Sequence, residues 1–457
     1  MPMRCLTDRQ VKTIIADNGL EDVELLLKYI HDNSSNNSIH DLSRIAELAN
    51  STRDNDGAYY TDDSTLELIH ENLPVRTKGP LRILEPSVGV GNFIPMIVSK
   101  FVKMERVIID VCDINPSSLK ICKALNKKRD IPQNVKINYL VGDFLSMKFQ
   151  CHYDYIIGNP PFLRLNKKNG LGKYQKILCD TSAKNTAAFF MEKAIRISDY
   201  VSLIMPKIFL SNADYQVCRE RTSKYNIETI LDFGEKGFRG VLVETICLFI
   251  DTNSAPSKTN CISVTRNINN FIQQAKLTDP KYPNWLLYRN SFFDSIARKM
   301  YFNIFSVVRD RQITNSITNH QEGIWVIKSG NIERDGSKIS HKPGYDIFLS
   351  ESDLSKIYVS KYYHSDDVYL SPNMTYYPRV IRKPKNTLTN GSVAIFILKD
   401  KSIKVSNNDL QYFASDEFEK FYEIARNYST RTLNIDKNSI FYFGIVKGAK
   451  DDNNTRN

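Results

Sequence analysis

Four short apolar runs, each closing on a polar residue, constrain this chain more than any other feature. They are Leu81-Arg82-Ile83-Leu84-Glu85, then Val107 to Asp113, then Ile137 to Gly142 followed by Asp143, and Tyr153 to Gly158 followed by Asn159. Near-continuous apolar strands of this kind are buried on both faces, as in parallel sheets. The spacing between them leaves room for crossover helices, so the pattern reads as repeated βαβ units. Polar residues at four strand ends predict one ligand crevice along the carboxyl edge of the sheet. The first strand leads into Pro86-Ser87-Val88-Gly89-Val90-Gly91. Glycines in such a turn let the backbone come close to a ligand. A lone Gly-x-Gly turn says little; with an acid at the second strand tip, Asp113, it suits a nucleoside whose ribose hydroxyls need an acceptor.

The fourth tip is a chemical device. Residues 159–162 read Asn-Pro-Pro-Phe. Two prolines fix the backbone after Asn159, so its side-chain oxygen and the Pro160 carbonyl can converge on one point. Two acceptors at one point hold an NH2 group and direct its lone pair elsewhere. Phe162 adds a flat face on which a planar ring can stack. This combination predicts N-methylation of a base or an amide.

With these motifs in this order, the chain resembles the gamma group of S-adenosylmethionine-dependent DNA adenine-N6 methyltransferases of bacterial restriction–modification systems. The resemblance covers roughly residues 50–250 and includes a segment before the first strand, Gly57-Ala58-Tyr59-Tyr60-Thr61. It implies that Tyr60 and Thr61 contact the methionine end of the cofactor. Glu85 and the turn through Pro86, Ser87, Gly89 and Gly91 would cradle that end. Asp113 would take the ribose hydroxyls, with Ile114 against the adenine. Asp143 would accept from the cofactor's amino group, and Phe144 and Phe190 would flank its ring. Asn159, Pro160, Pro161 and Phe162 would form the catalytic turn, and Phe238 would pack on a target adenine flipped out of the duplex. Three positions depart from the family pattern: Asp62 follows Tyr60-Thr61 where proline is usual, Asp113 stands where glutamate is commoner, and Phe162 replaces tyrosine. Stacking needs only the ring, so the last change is tolerable. Structural readings stand beside the functional ones. Phe190 also reads as core, Phe238 as a loop anchor, Tyr60 as packing, and Asp143 as a turn or cap residue.

The resemblance implies a Rossmann-like α/β class I methyltransferase fold with further domains. A helical N-terminal segment is expected over 1–50, a cofactor-binding catalytic domain over 51–252, and an α+β target-recognition domain over 258–457. The boundary falls on the linker-like run Asp251-Thr252-Asn253-Ser254-Ala255-Pro256-Ser257. The chain carries a net charge of +11, which fits an anionic partner. Residues 251–457 hold 29 basic against 21 acidic residues, so most of that excess lies in the second half. There, Tyr376, Arg379, Arg382, Lys383, Lys385 and, further on, Arg431 interleave charge with aromatic residues, as phosphate contact and base-edge readout require. A solvated loop is the competing reading of the same residues.

Eight cysteines without a Cys-x-x-Cys pair argue against a zinc cluster and for a reducing, cytoplasmic setting. No metal is expected, no run suits a membrane span, and the start lacks a signal-peptide core. Duplex DNA is the expected partner of a monomer. Any cognate restriction endonuclease would be a separate protein. The alternatives are N-methyltransferases of RNA bases or protein glutamine, and a binding subunit that has lost its chemistry.

Overall fold

The computed structural model describes residues 6–33, 37–49, 61–75, 79–238, 242–374, 376–430 and 434–447. The chain divides into two compact units, residues 1–275 and 276–457.

The first unit is built on a nine-stranded sheet of order β3-β2-β1-β4-β5-β7-β6-β8-β9. Its strands are β1 Leu81–Glu85, β2 Val107–Asp113, β3 Val135–Val141, β4 Tyr153–Gly158, β5 Ser198–Pro206, β6 Asn226–Gly234, β7 Thr245–Asp251, β8 Lys258–Ser263 and β9 Ile268–Gln273. Strands β1 to β5 pair in parallel, and β7 runs antiparallel between β5 and β6. This is the expected class I methyltransferase arrangement. The chain winds outward from β1 in both directions, so the topological switch lies between β1 and β4, where such sheets bind their ligands.

The strands read as they do because both faces are covered. Ile83, Val107, Ile109, Ile157, Ile204 and Phe249 are all fully buried in one apolar cluster. Helices follow from local signals. Helix α6, Pro116–Asn126, begins with an Asn115 side chain accepting from Ser117 N–H and with proline in its first turn. Helix α8, Thr186–Ile197, is capped by Asn185. The region 212–225 holds a 3-10 turn at Ala213–Tyr215 followed by α9, Gln216–Thr222.

Helices α1 Asp8–Asn18, α2 Val23–Asp32 and α3 Ile39–Ala49 pack their apolar faces on Val90, Ile121 and Leu125. Helices α4, Asp63–Asn72, and α5, Phe93–Phe101, join the main core through Leu66, Ile69, Ile94 and Phe101. A short helix α7, Leu171–Leu178, lies in the segment between β4 and α8. The run 251–257 does not end the sheet. It turns the chain from β7 into β8, which pairs with β6 and then with β9. The first unit therefore continues past the linker-like composition, because Cys261 and Ile272 bury on the same sheet.

The second unit is α+β. One four-stranded antiparallel sheet orders Phe305–Val308, Val393–Leu398, Val368–Pro372 and Ile381–Arg382. Another orders Thr318–Asn319, Ile347–Leu349, Ile324–Ile327 and Leu388–Thr389. Helix Asp416–Ala425 closes an aromatic core in which Phe293 and Phe421 stack at 4.7 Å.

Candidate active site

The site is assembled at the carboxyl ends of β1 to β4. β1 and β4 run side by side, with Leu84 opposite Ile156. Their tips approach so closely that a Cβ on Gly158 would stand 3.2 Å from the Pro86 ring. A side chain there would press on that ring, and the close approach brings Asn159 beside the turn after β1. Ser87 Oγ donates to the Asn159 carbonyl at 3.0 Å, tying the two loops together. Gly91 has φ +88°, and a Cβ there would meet Cys122 Sγ at 2.8 Å. The turn thus keeps a left-handed backbone and sits hard on α6.

Asp113, at the tip of β2, accepts from Gly89 N–H at 2.9 Å and from Asn115 N–H at 2.8 Å. These bonds fix the acid against the glycine turn. Arg129 donates to the Gly91 carbonyl at 3.0 Å and to Asn126 at 2.6 Å, bracing the turn from behind. Glu85 is 1% exposed, and its Oε2 has no hydrogen-bond partner among the described residues. Burial pushes its carboxyl well above the usual range; Arg129 opposes this and Asp113 adds to it.

Thr61, Glu85, Pro86, Ser87, Gly89, Asp113, Ile114, Asp143, Phe144, Asn159, Pro161 and Phe190 line one cavity of about 350 Å³. Gly91, Pro160, Phe162 and Phe238 do not line it, and Tyr60 lies outside the described residues. Four carboxylates face the cavity (Glu47, Glu85, Asp113 and Asp143), and among the described residues its lining contains no lysine, arginine or histidine. A cavity lined by four carboxylates, one of them a deeply buried acid, suits a cationic ligand rich in N–H and O–H donors.

Asn159 Nδ2 donates to Thr61 Oγ1 at 3.3 Å, which sets the amide's orientation. Thr186, the first residue of α8, holds the rest of the turn: its hydroxyl donates to the Pro161 carbonyl and accepts from Leu163 N–H at 3.0 Å.

The aromatic residues depart from expectation. Phe144 and Phe190 were expected on opposite sides of the cofactor's ring. Their centroids are 4.8 Å apart, so they touch and make one wall. Phe162 and Phe238 were expected to sandwich a base. They lie 5.8 Å apart and in contact, with Phe238 only 2% exposed and its backbone bridged to Thr61. Phe238 is here the loop anchor, packed in the core. Asp143 combines its two readings. It lines the cavity and also accepts from Leu145 N–H at 3.0 Å, Tyr174 Oη at 3.1 Å and the Ser146 hydroxyl. The Tyr174 hydroxyl is raised to about 12 by burial and then by Asp143.

Glu47, Asn115, Ser118, Tyr174 and Thr186 also line the cavity without having been singled out. Asn115 and Thr186 carried a signal, since both stand at helix starts directly after or before a motif. Glu47 carried none: it reaches the cavity through the packing of α3, where it accepts from Asn92 Nδ2 at 3.1 Å.

In the second unit, Tyr376 is exposed, with its hydroxyl donating to the Thr430 carbonyl at 3.3 Å. Arg382 and Lys385 are exposed, and Lys385 pairs with Asp366 at 3.2 Å. Arg379 is half-buried and donates to the carbonyls of Tyr377 and Ile332. Lys383 is a correction: it is 1% exposed, and its ammonium donates to the carbonyls of Tyr363, Ser365 and Pro384. It is a buried staple with no surface to offer a phosphate. Arg431 lies outside the described residues.

Residues 104–238 match the model of the Eco57I restriction-modification methylase family. A comparison with curated proteins finds no match. Among solved structures, a Listeria monocytogenes protein described as a class I S-adenosylmethionine-dependent methyltransferase is 16% identical, covering 56% of this chain and 90% of its own, with a TM-score of 0.43. The methyltransferase subunit of a type I restriction–modification system from Streptococcus thermophilus is 13% identical, over 59% of this chain and 72% of its own, with a TM-score of 0.39. The type IIG restriction endonuclease BpuSI is 12% identical with a TM-score of 0.48; the match covers 90% of this chain and only 61% of BpuSI. The fold itself rests on the strand order rather than on these distant likenesses.

Proposed function

We propose, from the premise that residues 104–238 are a restriction–modification methylase domain working with S-adenosylmethionine, that this protein methylates N6 of an adenine flipped out of duplex DNA. The single observation that carries this reading is the shared cavity: Asn159 lines the same space as Glu85, Asp113 and Asp143. A grip for an amino group and a cradle for a cationic nucleoside therefore meet at one point. The four carboxylates of the lining fit S-adenosylmethionine, which is cationic at its ammonium and sulfonium and carries ribose hydroxyls and an adenine amine. Glu85 would hold the ammonium, Asp113 the ribose hydroxyls and Asp143 the adenine amine.

The bound cofactor supplies a methyl group activated by the positive sulfur. Asn159 Oδ1 and the Pro160 carbonyl accept the two N6 hydrogens of the target adenine. This withdraws the N6 lone pair from conjugation and aims it at the methyl carbon. In that transfer the N–C bond would form as the S–C bond breaks, with its electron pair left on sulfur, and the cofactor would supply this chemistry. Asn159 is no base, so the surplus N6 proton leaves to water. Thr61 and Thr186 keep the grip preorganised, which is where most of the acceleration would arise. Phe162 offers its face to the base, and Phe238 must part from it to admit a second planar ring.

Protection of a recognition site against a separate endonuclease is the role that follows from the methylase family. The test is tritiated-methyl transfer to duplex DNA, RNA and a protein extract in parallel, with digestion of the DNA to nucleosides. Label in N6-methyladenine supports the reading. Label confined to RNA or protein replaces DNA as the substrate, and cofactor binding without transfer to any of them indicates a binding subunit.

A further inference from the structure

One buried charge plays no part in this chemistry. Lys193 lies on α8, three residues after Phe190, and is 9% exposed. Its ammonium donates to the carbonyls of Phe144, Leu145 (3.3 Å) and Met147 (2.6 Å). It also faces the rings of Phe144 at 4.9 Å and Phe149 at 5.1 Å. A buried ammonium is costly unless each of its three protons is used. Here three carbonyls of one turn meet that need, and no carboxylate does. The turn is the one after β3, which delivers Asp143, Phe144 and Leu145 to the cavity.

We propose that Lys193, as an ammonium, is a positioning residue that fixes the adenine end of the cofactor cavity by stapling the Asp143–Met147 turn to α8. This rests on the cavity being the S-adenosylmethionine site. Without the staple, the Phe144, Leu145 and Met147 carbonyls lose their Lys193 donor, and the turn that carries Asp143 and the ring wall loses its polar tie to α8.

The charge of this staple is labile. Burial lowers the Lys193 ammonium to about 8, with Asp143 and then Cys112 opposing the drop. The Cys112 thiol is itself raised to about 12 by burial, so it stays neutral across this range. Asp143 is thus the charged group facing Lys193. Glu192, its neighbour on α8, sits against Asp180 and Arg221 and is raised to about 8 by burial, so it titrates in the same window. Above that window a neutral Lys193 amine keeps two protons for three carbonyls, and one acceptor goes unpaired.

The experiment is calorimetric binding of 5′-methylthioadenosine and of S-adenosylmethionine to the full chain and to K193M, from pH 6.5 to 9.5. The thioadenosine probes the adenine end and lacks the α-amino group, which itself titrates at about 7.7–8.0. Wild-type affinity for it should fall about threefold or more as pH rises through 8. K193M should bind about tenfold more weakly at pH 7, keeping only whatever pH dependence Glu192 gives. KM for S-adenosylmethionine should rise far more than kcat falls. A folded K193M with wild-type affinity overturns the proposal. If K193M does not fold, the wild-type profile decides, and affinity unchanged across pH 8 overturns it. Wild-type protein that binds neither ligand at any pH rejects the cofactor site itself, a failure distinct from either of these.

Discussion

Lys193 and Lys383 are the same device in two units. Each is a buried ammonium spending its protons on three backbone carbonyls, and burial lowers each to about 8. What differs is the chain they hold. Lys193 staples a turn whose side chains point into an acid-lined cavity. Lys383 staples the chain between two exposed cations, Arg382 and Lys385. The same local chemistry therefore supports a ligand cradle in one unit and a surface display in the other. Its role follows from the neighbours it positions.

If the first unit alone carries chemistry, damage at its strand tips must be of another order than damage to the second unit. The largest effect is expected at Asn159→Ala. Loss of one preorganised acceptor should lower the single-turnover rate by about 100-fold or more. Cofactor affinity should change little, because Glu85, Asp113 and Asp143 remain. Rapid-quench methyl transfer beside calorimetry reads both, and a rate within tenfold of wild type would remove Asn159 from the mechanism.

Lys383→Met comes next and sharpens the contrast. Three carbonyls lose their donor, and an unsatisfied buried polar group costs about 1–3 kcal/mol. Unfolding of the second unit should shift by that order while affinity for S-adenosylmethionine stays unchanged. The pH dependence has a definite sign. The folded-state ammonium titrates at about 8, below the unfolded value of about 10.4. The unfolded chain thus binds more protons between those values, so wild-type stability should gain on the Lys383→Met variant as pH rises from 8 to 10. A difference that is flat over this range would mean that Lys383 is not held as a buried ammonium.

The cradle makes a further prediction at its acid end. Burial holds the Glu85 carboxyl above its normal range, and an arriving ammonium would draw it back toward ionisation. Binding of S-adenosylmethionine should then release a fraction of a proton, up to about one. It appears as a binding enthalpy that varies with the ionisation heat of the buffer. Glu85→Gln should abolish the buffer dependence and weaken binding, and an unchanged buffer dependence would move the proton elsewhere.

The strand tips were legible because parallel-strand geometry is rigid. Once the apolar runs are strands, Glu85, Asp113, Asp143 and Asn159 must fall on one edge, and they share one cavity. The gaps have equally physical causes. Glu47 arrives through helix packing from a sequence-distant segment. Phe144 with Phe190, and Phe162 with Phe238, are ring pairs between sequence-distant segments, which no local spacing reveals. The second unit was read by composition, which does not distinguish a lysine facing solvent from one facing three carbonyls. Residues 376–385 alternate too irregularly to fix a face, and only burial separates Lys383 from Lys385. The boundary was misplaced for a similar reason. Residues 251–257 have the composition of a linker, yet β8 and β9 follow, with Thr259, Cys261 and Ser263 buried at alternate positions of β8 and Ile272 buried in β9.

The smallest expected effect tests the display itself. Arg382 donates to the Asp366 carbonyl at 3.1 Å, and Lys385 pairs with the Asp366 side chain, so both stand on one stretch of surface. If they neutralise phosphates, Arg382→Ala and Lys385→Ala should each weaken binding to all duplexes alike. Each should reduce the slope of log K against log salt by about 1. Lys385 gives up an exposed ion pair to do so, at little cost. Lys383→Met should leave that slope intact wherever the unit stays folded, because its charge never faced solvent. A loss of sequence discrimination in the Arg382 variant, with the slope unchanged, would reassign it from phosphate contact to base readout. An unchanged slope and unchanged affinity in both variants would take the contact surface off this stretch altogether. Lys383 and its two exposed neighbours would then share one role, holding the fold of the second unit.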